Sequence, residues 1–197
     1  MLEAQKEYLD NLQDKYLNIG ITENGEPRNM ISVPWKHDSN AYNMRTPELW
    51  LSAEDVKDPC LLARLKGLCI RGCYIFTPLE DYSFLAELKG LWDLHIRQGG
   101  ALRGLSFMRE MREWFMLYIE DARLDDLSPA FPENWREKGL HSYCVAFVNC
   151  RVKDISALER EDIRLSELLV CQPEGTNEKK KWSRVRAGTY RYWEYRQ

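Results

Sequence analysis

Two stretches of the chain carry the same pattern of apolar and polar positions. Residues 114–127 read WFMLYIEDARLDDL and residues 142–155 read SYCVAFVNCRVKDI. With Leu117 set over Val145, Ile119 falls on Phe147, Ala122 on Cys150, Leu124 on Val152, and Asp126-Leu127 on Asp154-Ile155. Alternation of this kind is the period of a strand, whose successive side chains point to opposite faces. It predicts Leu117 and Ile119 inward, with Met116, Tyr118 and Glu120 outward. Ala122 or Cys150 then gives a small residue at a tight corner, and Leu124 and Leu127 return apolar side chains to the same core.

The template recurs along the chain. Leu49 and Leu51 begin it. Leu68 and Ile70 give a second copy, with Cys73 at the corner. Leu94 and Ile96 give a third, with Gly99 at the corner, and Leu168 and Val170 a last one. A unit of this length cannot bury its apolar side alone, so repetition predicts stacking, one short strand per copy in a parallel sheet. Two longer segments interrupt the pattern. Residues 128–140, with two prolines and a glycine, predict a loop or short helix. Residues 101–113 predict a helix with Leu105, Met108 and Met111 inward.

This pattern resembles the leucine-rich repeat, and is most similar to the short bacterial type. The consensus LxxLxxLxLxxNxLxDLxxL is visible in Leu85-x-x-Leu88-x-x-Leu91-x-x-Leu94-x-Ile96 and in Val145-x-Phe147-x-x-Cys150-x-Val152-x-Asp154-Ile155. The resemblance covers residues 46–172. It implies an α/β solenoid with a parallel sheet on one face and helical or irregular segments on the other. The family's asparagine position is held by Cys73, Gly99, Ala122 and Cys150. Glycine and alanine offer no side-chain hydrogen bond to the neighbouring backbone, so the corner must be held in another way.

The flanks read as caps. Residues 1–18 predict an amphipathic helix, with Leu2, Leu9, Leu12, Tyr16 and Leu17 near one side. Asn24-Gly25 is a possible hairpin turn, and 1–45 as a whole a capping segment. Residues 172–181, QPEGTNEKKK, predict a solvated loop. The ending TYRYWEYRQ predicts a terminal edge strand, so that 173–197 closes the other end. All three regions form one compact unit.

Composition narrows the partners. The 197 residues are 44% hydrophobic, enough for a substantial core, and the formal net charge is -3. No global basic field exists to attract nucleic acid or an anionic membrane. There is no signal-like N-terminus and no membrane-length apolar run, which predicts a cytoplasmic protein. The six cysteines include no CxxC pair and read as reduced thiols. No phosphate loop, nucleophile elbow or HExxH motif occurs, and no cofactor or metal is expected.

Function is therefore expected on the outward positions of the strands. Its middle reads Trp50, Arg71, Asp93, His95, Arg97, Met116, Tyr118 and Glu120, the mixture of aromatics and arginines typical of protein-binding hot spots. The C-terminal end of that row turns apolar (Cys144, Ala146, Val148, Leu169), so the chain's own tail or a partner is expected over it. The expected function is a non-catalytic module that binds another protein, an immunity protein neutralising a toxin being one specific form. Alternatives are a cryptic enzyme or ligand site using Cys144, His141 or His95, and self-association. Asp126 and Asp154 are expected to cap turns or to be solvated rather than to hold a metal.

Overall fold

Alternating apolar residues become strands because each strand buries one face and hydrogen-bonds its edges to the next. The computed structural model describes residues 48–51, 53, 72–88, 90–100, 102–111, 114–133 and 143–196. The N-terminal helix and hairpin, Leu68, Ile70, Arg71 and His141 lie outside the described residues, as do the side chains of Glu48 and Trp50. The described part is an α/β structure with few helices. Its strands are β1 (Glu48–Leu51), β2 (Gly72–Ile75), β3 (Asp93–Ile96), β4 (Met116–Glu120), β5 (Arg123–Asp126), β6 (Cys144–Val148), β7 (Arg151–Asp154), β8 (Leu165–Pro173) and β9 (Ala187–Tyr195). Seven of them form a sheet in the order β1-β2-β3-β4-β6-β8-β9, and β5 pairs with β7 in a second sheet. Every one of these pairings is parallel.

Register places like on like. One row across the large sheet is Leu49, Cys73, Leu94, Leu117, Val145, Leu168 and Tyr190; the next is Leu51, Ile75, Ile96, Ile119, Phe147, Val170 and Tyr192. All are buried except the two tyrosines of the edge strand, which pack half-buried against the same core. Each fully buried aliphatic side chain of this kind contributes about 1.5–3 kcal/mol. The two stretches that match in sequence lie side by side, with Leu117 beside Val145 and Leu124 beside Val152.

Among the described residues, the helical parts of the returning segments are single turns. They comprise 3₁₀ turns at Ser83–Glu87 and Ser106–Glu110 and the short helices α1 (Ser156–Glu159) and α2 (Lys179–Trp182). Three of the returns begin on one device. Asp81, Asp126 and Asp154 each accept the backbone N–H of the serine two residues on, at 2.8, 2.7 and 2.8 Å. These are turn-capping bonds, the first of the two roles expected for Asp126 and Asp154. The residue between, Tyr82, Leu127 or Ile155, is thereby turned into the core.

The corner is held by several small interactions in place of an asparagine. Asp121 and Asn149 adopt positive φ (56° and 51°), a conformation that Asp and Asn tolerate better than most residues. Asn149 Nδ2 donates to Asp121 Oδ1 at 2.6 Å. The Cys150 thiol donates to the carbonyls of Ile119 and Val148 at 3.2 and 3.3 Å, and Gln172 Nε2 donates to the Cys150 carbonyl at 2.8 Å. Gly99 donates its N–H to Glu120 at 2.8 Å. A Cβ there would stand 2.9 Å from the Ala122 Cβ and 3.2 Å from the Glu120 carbonyl oxygen, so the close approach requires glycine.

Three expectations are corrected. Cys73 is an inward anchor of β2, not a corner residue; the anchors of this level are Cys73 and Ile75, in register with Leu94 and Ile96. A buried cysteine packs as a small apolar side chain, so it can occupy a position where leucine is usual. The helix expected over 101–113 shrinks to the 3₁₀ turn Ser106–Glu110, although Leu105, Met108 and Met111 are buried as expected. The reason is that the chain before it is extended. Gly104 bridges to Asp126, and the Arg103 carbonyl accepts the Asp125 N–H at 2.9 Å. The solvated loop expected over 172–181 is instead the end of β8, a turn and α2. Gln172 is buried, and Lys181 is half-buried with its ammonium 5.8 Å from the centroid of the Trp182 ring. Among the described residues, no helix is long and apolar enough to cross a membrane.

Candidate functional site: the outward strand face

The same alternation that buries Leu117 and Ile119 turns the residues between and beside them outward, and the register aligns these in rows. The central row is Tyr74, His95, Tyr118, Ala146, Leu169 and Arg191, with the backbone of Trp50 in register beside Tyr74. His95 lies between two tyrosines: its ring centroid is 4.6 Å from Tyr74 and 5.4 Å from Tyr118, with interplanar angles of 25° and 17°. The Arg97 guanidinium carbon sits 4.3 Å from the Tyr118 centroid. Offset stacks of this kind are worth about 0.5–1.5 kcal/mol per pair, and an exposed cation–π contact about 0.5–1 kcal/mol.

Electrostatics bind the ladder to the neighbouring row. Tyr118 donates its hydroxyl to Glu120 Oε2 at 3.1 Å, and Arg97 Nη1 lies 3.6 Å from that same oxygen. Burial pushes the Tyr118 hydroxyl up to about 12, with the Glu120 charge adding to it. Burial holds His95 down at about 4, with Arg97 contributing. At neutral pH the row therefore presents a neutral imidazole and a protonated phenol, groups suited to stacking and hydrogen bonding. Two polar atoms within it are buried with no hydrogen-bond partner among the described residues, His95 Nδ1 and Arg97 Nε.

Of the residues singled out from sequence, Asp93, His95, Arg97, Met116, Tyr118 and Glu120 come together here on β3, β4 and the residue after β3, all half-buried. Trp50 lies on β1 in register with Tyr74; Arg71 precedes β2 and lies outside the described residues. Sequence reasoning missed Tyr74 and Phe76, which occupy the outward positions assigned to Cys69 and Arg71. The signal was present: Cys73-Tyr74-Ile75-Phe76 alternates, and reading the cysteine as an anchor sends both aromatics outward. Phe76 and Phe115 are 39% and 40% exposed, large for aromatic side chains beside a formed sheet.

The C-terminal half of the face differs. Ala146 and Cys171 are buried, and Val148 and Leu169 are half-buried. The tail does not lie across this half. It joins the sheet as β9 and contributes Trp193, 44% exposed, in register with Cys171. Cys144 stands on β6, two strands from His95 in sheet order. Its thiol is pushed up by burial and by the Glu167 and Asp93 charges, which keeps it protonated at neutral pH. Among the described residues, no group of three or more His, Cys, Asp and Glu is arranged to hold a metal ion. Comparison with protein-family models, with curated proteins and with solved structures finds no match to this chain.

Proposed function

We propose that the chain is a leucine-rich-repeat-like solenoid acting in the cytoplasm as a non-catalytic module, which binds another protein through the outward face of β2 to β4. The observation that carries this reading is the ladder Tyr74–His95–Tyr118 with Arg97 over its end. A rigid aromatic row loses little conformational freedom when it docks, and aromatic and arginine side chains dominate the energetics of protein interfaces.

The full chain, used as bait in a lysate of its native host, should capture a partner whose affinity falls by about 2 kcal/mol in Tyr118→Ala and in Arg97→Ala. Circular dichroism on both variants checks that the fold survives. A captured partner that binds both folded variants as tightly as the parent chain would overturn the assignment of this face.

A further inference from the structure

A second surface arises where β5 pairs with β7. In each strand the residues flanking the buried Leu124 or Val152 point away from the core, and parallel register sets Arg123 directly beside Arg151. Lys153 follows on the same face of β7, and Arg103 lies beside β5 on the side away from β7, its carbonyl accepting the Asp125 N–H. Lys181 reaches in from α2, donating to the Val152 carbonyl. Together these five cationic side chains line an open groove of about 870 Å³, whose acidic residues, among the described ones, are Asp125 and Glu178. Glu178 is already engaged, accepting from the Trp182 indole at 3.3 Å and lying 3.9 Å from Lys181.

This concentration of positive charge is unusual for a chain with more acidic than basic residues, 31 against 28. Like charges directly opposite one another on neighbouring strands repel. On the large sheet such cations have counter-charges: Arg97 faces Glu120 at 3.6 Å and Arg191 faces Glu167 at 3.7 Å. Among the described residues, neither Arg123 nor Arg151 has an ion pair or a side-chain hydrogen bond. Both are exposed, with the guanidinium fork free.

We propose that this groove is a docking site for an extended, carboxylate-rich segment of a partner protein. A guanidinium binds a carboxylate through two parallel hydrogen bonds, and adjacent strands offer two such forks at neighbouring positions. Among the described residues the groove has no aromatic lining on which bases could stack, and this favours separate carboxylates over a nucleic-acid strand, whose binding relies on dense phosphate contacts and stacking.

The test uses the full chain and a fluorescein-labelled hexaglutamate peptide, followed by fluorescence anisotropy. Saturable binding is expected at low salt, weakening towards about 0.15 M as exposed charges are screened. Arg123→Glu combined with Arg151→Glu should weaken it by at least about tenfold. Arg184→Glu with Arg186→Glu, exposed cations outside the groove, should leave it unchanged, as should Tyr118→Ala on the strand face. Thermal melting of each variant confirms that it is folded. The proposal is overturned by absence of saturable binding, by an equal loss in the Arg184/Arg186 control, or by tighter binding of an oligothymidylate of equal charge.

Discussion

The outward row of the large sheet and the strip formed by β5 and β7 are built by the same rule and reach opposite outcomes. Parallel register at a strand spacing of about 4.8 Å places each side chain beside its counterpart in the next strand. Where the counterparts are Tyr74, His95 and Tyr118, the rings stack, and Arg97 has Glu120 as a counter-charge. Where they are Arg123 and Arg151, the same geometry brings like charges together with nothing described between them. The scaffold dictates proximity and is indifferent to sign. What differs is the side chain, and so one surface is organised before any partner arrives while the other has its charge left over.

Both surfaces depend on the inward rows, and this gives the largest expected effect. Leu117 is fully buried between Leu94 and Val145. Leu117→Ala should cost about 3 kcal/mol by urea unfolding, within the usual range for deleting a buried leucine side chain. A cost below about 1 kcal/mol would mean that the row is not close-packed and that neither surface is rigidly presented.

A smaller effect separates the two surfaces by pH. His95 is held near 4 in the folded chain by burial and by Arg97, below its ordinary value of about 6.5. Between those values the unfolded chain binds a proton that the folded chain does not. The folded state therefore loses stability as pH falls from about 6.5 towards 4. The ring is partly solvated, so screening limits the loss to about 1 kcal/mol. His95→Phe keeps a stacking ring and removes the titration. Its stability difference between neutral and acid pH should be smaller than that of the parent by this amount, measured by urea unfolding at each pH. An identical pH dependence in the two chains would show that the imidazole is freely hydrated.

The smallest effect concerns the arginine pair. Arg123→Glu sets an opposite charge beside Arg151 and should raise stability by about 0.2–1 kcal/mol, seen as a higher melting temperature at low salt that converges on the parent at high salt. A lower melting temperature at low salt would show that the two guanidiniums do not repel in the folded chain, and the contrast between the surfaces would lose its basis.

Much of the architecture could be read from local pattern. The alternation around Leu117 and Val145 determined which side chains face inward, because a strand leaves only two choices and burial selects one. The match between 114–127 and 142–155 pointed to these segments lying side by side in register, and a turn role for Asp126 and Asp154 was readable because their hydrogen bonds span two residues. The six outward residues from Asp93 to Glu120 followed from the same alternation.

Other features required the tertiary structure. Nothing local distinguishes Cys73 as a corner residue from Cys73 as an anchor. Its pairing with Leu49 and Leu94 decided that, and with it the outward positions of Tyr74 and Phe76. The extent of the turn at Ser106–Glu110 depended on Gly104 bridging to Asp126, a contact with a different strand. The stacking of His95 between two tyrosines, the burial of Gln172 against the Cys150 carbonyl, and the meeting of Arg123 with Arg151 all join residues more than twenty positions apart. Sequence pattern settles the face a residue takes because that is fixed by its immediate neighbours along the chain. It leaves open which residue stands alongside on the next strand, because that depends on loop lengths and on how the whole core closes.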